Sequence, residues 1–357
     1  MNHTTFNTDI PRCGNSLYSI NPANISSDFR AVLIVRIVVN SLTCPLIILL
    51  NILVMIAVNT KPQLRTKSNI ALACLSTTDL VVGVVLQPLY IAKESSLLRG
   101  DIVFCSKTNI SNTTATFICL LASFHHLILM SVERYVAIKH PFLYESLVTE
   151  VRIIMASALA WAAIIIVSSE EFLPTSILLV SETLLIILPI FFFFFLYKEV
   201  RRNKKQIADN QISFEAKGKL LKNRKAFYTN VIVLVVILLC YIPTNICVVI
   251  LTSFKERIPP NITITALYAI SLLPVLNSLF NPLIYAVRIR NFRVAFIQLF
   301  SRKTTVQAEE LERKIFRSRQ SGVNGNLVVG QGNQTLNVKH EPSRQAEPRG
   351  GCKETPL

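Results

Sequence analysis

The stretch "NIALACLSTTDLVVGVVLQP" (residues 69–88) runs for twenty residues with a single formal charge, Asp79. At about 1.5 Å per helical residue it is long enough to cross the roughly 30 Å hydrocarbon layer of a bilayer. A surface helix of a soluble protein needs a polar face, and this run offers only scattered hydroxyls, an amide near each end and the lone carboxylate. It predicts a membrane-spanning helix with an acid near its centre. Acids at that depth are costly and by default functional.

The pattern recurs on both sides. Apolar runs of spanning length occur near 31–58, 69–92, 109–133, 152–168, 176–197, 229–253 and 263–287. Mean hydropathy is +0.47 and 16% of residues are charged, against about 25% in soluble domains. The expected fold class is therefore all-α, an integral membrane bundle of seven transmembrane helices. The start, "MNHTTFNTDIPRCGNS", lacks the basic-then-apolar order of a cleavable signal, so the first apolar run is expected to act as its own anchor.

Charge sets the expected orientation. Of 37 lysines and arginines, 29 fall in 59–68, 134–152, 198–228 and 288–357, which places those segments in the cytoplasm and the N-terminus outside. The +16 net charge thus points to anionic lipid and acidic partners, and nucleic acid is not expected. Glycosylation sequons at Asn2, Asn24, Asn109, Asn112 and Asn261 lie on or near the outer side.

The chain divides into an outer glycosylated tail (1–30), the bundle (31–287), a surface helix (288–303) and a cytoplasmic tail (304–357) expected to be disordered. In "RIRNFRVAFIQLF", Phe292, Phe296, Leu299 and Phe300 recur at helical spacing opposite Arg288, Arg290 and Arg293, an amphipathic helix for the membrane surface. No internal repeat of the kind many transporters carry is found.

Polar residues inside the spans are the candidates for function. Asp79, Ser123, Asn277, Ser278 and Asn281 supply oxygens for a small cation site, with sodium as the ion, or else a hydrogen-bonded structural network. Pro88, Pro189, Pro243, Pro274 and Pro282 each remove a helix hydrogen bond, giving hinges or merely kinked packing. His125 and His126 read as packing residues, with His126 placed to accept the Trp161 indole N–H.

Taken in order, Asn51, Asp79, Arg134, Trp161, Pro189, Pro243 and Pro282, with "ERY" (133–135), "CYIP" (240–243) and "NPLIY" (281–285), resemble the rhodopsin-like, class A G-protein-coupled receptors over about 31–303. The resemblance implies an activation switch of Glu133, Arg134, Tyr135, Tyr197, Tyr241, Pro243, Asn281, Pro282 and Tyr285. At rest Arg134 pairs with Glu133; on activation it helps line a crevice for a heterotrimeric G-protein. The inner basic segments serve as membrane anchors and as contacts for that partner.

The pattern also fails in places. The cysteine expected at Asn109 is absent, Cys105 lies one turn earlier, and no cysteine lies between Trp161 and Pro189. With Cys13 and Cys105 both outside, a disulfide between them is expected. The short second outer loop gives a weak likeness to melanocortin and related lipid receptors. Thr116 stands where amine receptors carry an aspartate, and Val275 where opsins carry a lysine. Thr116, Glu182, Tyr241 and Asn245 are the expected ligand pocket, with the aqueous rim as the other reading for Glu182.

The sequence therefore predicts a multi-pass plasma-membrane receptor, not an enzyme, that passes an extracellular peptide, lipid or small-molecule signal to a G-protein. No cofactor is expected apart from sodium. Arrestin is a further partner, and "ETPL" at the C-terminus fits a PDZ ligand. A ligand-independent receptor is the alternative, and a transporter a more distant one.

Overall fold

The computed structural model describes residues 13–15, 18–20, 25–169, 187, 190–191, 194–195, 197–202, 214–254 and 256–325. Two short strands, β1 (Cys13–Asn15) and β2 (Tyr18–Ile20), pair antiparallel ahead of the helices. Then come α1 (Ser27–Thr60), α2 (Lys67–Val81), a π-helical turn (Val82–Leu86), α3 (Gln87–Arg99) and α4 (Ile102–Lys139). A short α5 (Pro141–Leu147) leads to α6 (Glu150–Ser169). The remaining helices are α7 (Phe214–Ser253), α8 (Pro260–Ile270), α9 (Leu272–Arg288), α10 (Arg290–Ser301) and α11 (Thr305–Gly325).

Among the described residues, five helical stretches are long and apolar enough to cross a membrane: Ser27–Thr60, Lys67–Arg99, Ile102–Lys139, Phe227–Leu251 and Pro260–Arg288. The fourth expected span corresponds to α6, and most of the fifth lies outside the described residues. Exposed Ile, Leu and Val side chains on α1, α6 and α7 are what a lipid-facing surface requires.

In lipid every backbone polar group needs a partner inside the protein, so each proline raises an accounting question. Ahead of Pro88 the helix widens, and the Gln87 N–H reaches the Val82 carbonyl, five residues back. Pro274 cannot bond to Ile270 and its ring clashes there; the helix breaks at Ser271, between α8 and α9. Thr244 Oγ1 on α7 donates to the freed Ile270 carbonyl at 3.3 Å. Pro282 likewise frees Ser278, whose carbonyl accepts from Asn51 Nδ2 on α1 at 3.3 Å.

The most heavily used donor at the break is Arg36. Its Nη1 donates to the Tyr268 carbonyl (2.6 Å) and Ser271 Oγ (2.8 Å), while Nε donates to Glu94 Oε1 on α3 (2.6 Å). Both charged side chains are buried, and the guanidinium lies over the rings of Tyr90 and Tyr268. Close approach on the same side of α1 is visible at Gly83, where an added Cβ would sit 2.8 Å from Ile48 Cγ1.

A Cys13–Cys105 disulfide, with Cα atoms 5.6 Å apart, ties the hairpin to α4 as expected. Cys13 and Ile20 pack with Phe29, Leu33 and Leu97, so the hairpin closes over the ends of α1 and α3. At the opposite end Phe292 and Phe296 of α10 turn inward, with Phe292 6.0 Å from the Tyr285 ring, while Phe300 stays exposed.

The chain forms two units, Met1–Ala308 and Glu309–Leu357. One expectation is corrected here: residues from 304 are not wholly irregular, because α11 is helical over Thr305–Gly325. Thr304 and Gln307 exchange side-chain-to-backbone hydrogen bonds in a capping box. Within the second unit Glu309–Arg313 and Glu310–Lys314 pair at i,i+4 spacing. Residues 326–357, including the "ETPL" end, lie outside the described residues.

The buried pair gives a stability test. Glu94→Ala leaves the Arg36 charge uncompensated and is expected to cost about 3–5 kcal/mol, read as a lower melting temperature of the solubilised protein. Arg36→Met with Glu94→Leu is expected to recover most of that loss, since the Tyr268 carbonyl keeps the Ser271 hydroxyl as a donor at 3.1 Å. Equal losses in the single and double variants would refute the pairing energetics.

Candidate functional site

Asp79 on α2 is completely buried, and its Oδ2 accepts from Asn281 Nδ2 on α9 at 2.8 Å. Ser278 lies against the same carboxylate. Asp79 Oδ1 has no hydrogen-bond partner, and neither do the buried oxygens of Asn51, Asn277, Asn281 and Tyr285. Five unpartnered oxygens on α1, α2 and α9 are costly for a dry apolar core. They fit the chemistry of a hard cation with water, which takes oxygen ligands.

Of the expected cation-site residues, the structure thus joins Asp79, Ser278 and Asn281 and places Asn277 buried on the same helix. Ser123 is buried on α4, but its hydroxyl turns back to the Cys119 carbonyl at 2.9 Å. Among the described residues no group of three His, Cys, Asp or Glu side chains gathers in the manner of a transition-metal site.

The basic end of α4 holds a second cluster. Arg134 Nε and Nη2 both donate to Glu133, and both residues are 4% exposed. Tyr144 Oη on α5 donates to Glu133 Oε1 at 2.6 Å. Burial, then the adjacent Glu133 carboxylate, raises the Tyr144 phenol far above the ordinary range, so it stays a donor. Helix α5 is itself moored by Lys67, which bonds Glu145 at 2.9 Å and lies over the Tyr144 ring; next to it Arg65 pairs with Glu150 of α6 at 3.1 Å.

Other expected switch residues stand apart. Tyr285 is fully buried with its hydroxyl unpartnered, whereas Tyr197 is 51% exposed. Tyr135 is partly buried beside Lys139. Tyr241 packs against Phe124 with ring centres 5.3 Å apart, and Pro243 lies inside α7 two residues on.

Of the four expected ligand-pocket residues, Thr116, Tyr241 and Asn245 are described. Thr116 Oγ1 bonds Tyr90 Oη at 2.8 Å, Asn245 Nδ2 turns back to the Tyr241 carbonyl at 3.0 Å, and Glu182 lies outside the described residues. His126 does not take the Trp161 indole proton as expected. Its Nε2 meets Ser157 Oγ at 2.6 Å and the two rings sit tilted, 6.4 Å apart; the hydroxyl is the nearer partner and fills the acceptor or donor site first. Asn109 is buried within α4, which leaves no room for a glycan, while Asn261 is exposed at the start of α8. Asn2 and Asn24 lie outside the described residues, as does the side chain of Asn112.

Two partners went unread in the sequence. Arg36 is a cation inside the first span, and a buried cation demands an acid; Glu94 near the end of the second span is the one that meets it. Tyr144 carried no local signal, since only the turn after α4 brings it to Glu133.

Comparison with known proteins agrees with this architecture. The family model for the 7 transmembrane receptor (rhodopsin family) matches residues 50–178 and 167–285. The human histamine H2 receptor is 33% identical over 112 residues, which is 31% of this chain and 30% of that protein. The human trace amine-associated receptor 9 is 36% identical over 96 residues, 26% of each, and the dog adenosine receptor A2b is 34% identical over 113 residues, 31% of this chain and 32% of the receptor. The aligned stretches thus span about a third or less of these relatives. The family match runs through Asp79, Arg134 and Asn281, the residues that structure both polar clusters, and the chain belongs to the rhodopsin family of seven-transmembrane receptors.

Proposed function

We propose that this signalling receptor lies in the plasma membrane with its N-terminus outside and converts binding of an extracellular ligand into nucleotide exchange on a heterotrimeric G-protein. The observation that carries the reading is the buried Glu133–Arg134–Tyr144 cluster at the lysine- and arginine-rich end. An arginine paired with a carboxylate that a phenol also holds describes a resting arrangement; exposing it requires the Arg134–Glu133 contacts to be given up. To move such a two-state equilibrium from 1:99 to 99:1, ligand and transducer together must favour the open state by about 5.5 kcal/mol. A single charge-assisted hydrogen bond contributes about 1.5–3 kcal/mol, so the cluster is strong enough to hold the receptor quiet and weak enough to be overcome.

The histamine and trace-amine receptors are named for amines, but this chain has Thr116 at the position where the resemblance puts the amine-binding aspartate, and that hydroxyl is engaged by Tyr90. An amine held at that position is therefore not carried over. Asp79, Asn277, Ser278 and Asn281 would hold a sodium ion, which supplies the positive charge their unpartnered oxygens need. The protein's part is to bring α2 and α9 together around one carboxylate.

Two measurements test this. Sodium, compared with equimolar choline, is expected to raise the melting temperature of the purified protein, and Asp79→Asn to abolish the difference; an unchanged response in the variant rules the cation site out. In cells or nanodiscs, Arg134→Ala is expected to lower transducer nucleotide exchange at least about tenfold, and Tyr144→Phe to raise basal exchange about tenfold or more, the equivalent of one lost charge-assisted hydrogen bond. If a folded, surface-displayed Arg134→Ala protein drives every transducer tested as well as the parent, the reading fails.

A further inference from the structure

At the hairpin end of the bundle the charges do not balance. Arg36 and Glu94 neutralise each other between α1 and α3. Lys93, the residue before Glu94, is left over: among the described residues no ion pair involves it, and its ammonium lies 5.7 Å from the Tyr268 ring centre. The Arg36 guanidinium lies 5.4 Å from the centre of the same ring. Two cations thus share one phenol ring and one carboxylate, and Arg36 already holds that carboxylate. Like charges gathered in a half-buried place repel one another, and an anion from outside the chain relieves them.

Lys93 also heads a stripe. Leu86, Tyr90 and Lys93 follow one another at spacings of four and three and share one side of the helix. Leu86 packs with Cys119 of α4 and Val275 of α9, with Tyr90 against them, and Tyr90 Oη bonds Thr116 Oγ1 of α4. The stripe therefore faces the neighbouring helices and passes from a cation through a phenol to aliphatic groups. Tyr90, Lys93, Thr116 and Tyr268 are only partly buried. Tyr268 is set in place by Phe29, edge to face at 5.1 Å, within the cluster that the disulfide-tied hairpin closes. Glu94, by contrast, is completely buried, so its unpartnered Oε2 is closed to a ligand. An amine drawn to that carboxylate would share the space with two cations, whereas an anion meets Lys93 unopposed.

We propose that the extracellular ligand of this receptor is an organic anion, a carboxylate or phosphate on an apolar body. Its anionic group pairs with Lys93, and its body lies along Tyr90 toward Leu86 and Val275. This rests on the receptor reading above and adds the sign of the ligand's charge, which is opposite to that of the amines for which two of the similar receptors are named.

The test uses the full chain in phosphatidylcholine nanodiscs and three probes that share one body: phenylbutyrate, phenylbutyl phosphate and phenylbutylamine. Binding is read as a saturable rise in melting temperature. An anionic probe is expected to bind and the amine not to, and the tighter of the two anions tells carboxylate from phosphate. Lys93→Gln is expected to weaken that binding about tenfold or more, the equivalent of one charge-assisted hydrogen bond. Lys107→Gln, which removes an exposed cation near the start of α4, is expected to change it less than about twofold. A second measurement needs no ligand. Thr116→Cys is expected to be labelled by an anionic sulfonatoethyl thiosulfonate in preference to its cationic trimethylammonium counterpart, relative to the same two reagents on Lys107→Cys, with peptide mapping as the readout. Adding Lys93→Gln is expected to remove the preference. Tighter binding of the amine, no saturable binding of either anion, undiminished binding in Lys93→Gln, or labelling without preference each overturns the proposal. These readouts are occupancy and labelling, so a failure of transducer exchange sinks the receptor reading without being mistaken for a failure here.

Discussion

The structure depends on one constraint: a backbone carbonyl released by proline inside a bilayer has no water to turn to and must be met by another helix. Pro274 releases Ile270, which takes Thr244; Pro282 releases Ser278, which takes Asn51; and Arg36 serves the Tyr268 carbonyl beside the break. The bonds that repair the kinks are therefore also bonds between helices. They fix α8 against α7 and α1, and α9, the helix whose Asn281 reaches Asp79, against α1. The polar centre exists because the kinks needed donors.

The two polar clusters differ in kind. The Asp79 centre is short of partners, with unsatisfied oxygens on three helices, whereas the Glu133–Arg134 cluster is fully paired and closed. An under-satisfied site invites a small guest, and a satisfied one resists opening. Placed along a single bundle, they give it a centre that responds to what fills it and an end that responds to what pulls on it.

Much of this was legible in the sequence. Periodicity and charge predicted the spans, and the ordered polar and proline residues identified the family before any coordinates. The Cys13–Cys105 bridge was readable because both cysteines fell on one side and no loop partner existed. The rest was illegible for physical reasons. Helix α11 follows from a capping box and i,i+4 pairs, which stabilise a helix without any apolar periodicity. The Ser157 partner of His126 and the Tyr144 partner of Glu133 lie 31 and 11 residues away, and only tertiary packing selects them. Nothing in the sequence around Thr116 and Asn245 announced their partners, Tyr90 and the Tyr241 carbonyl.

The mooring of α5 has one more consequence. Tyr144 reaches Glu133 from a helix that Lys67–Glu145 holds, and Glu145 is 58% exposed. Mobile ions screen exposed pairs far more than buried ones, with a Debye length of about 8 Å in physiological saline. The grip on the arginine therefore loosens as electrolyte rises on that side, even though the arginine itself is shielded. A buried lock has been hung on a hinge that feels the surrounding medium.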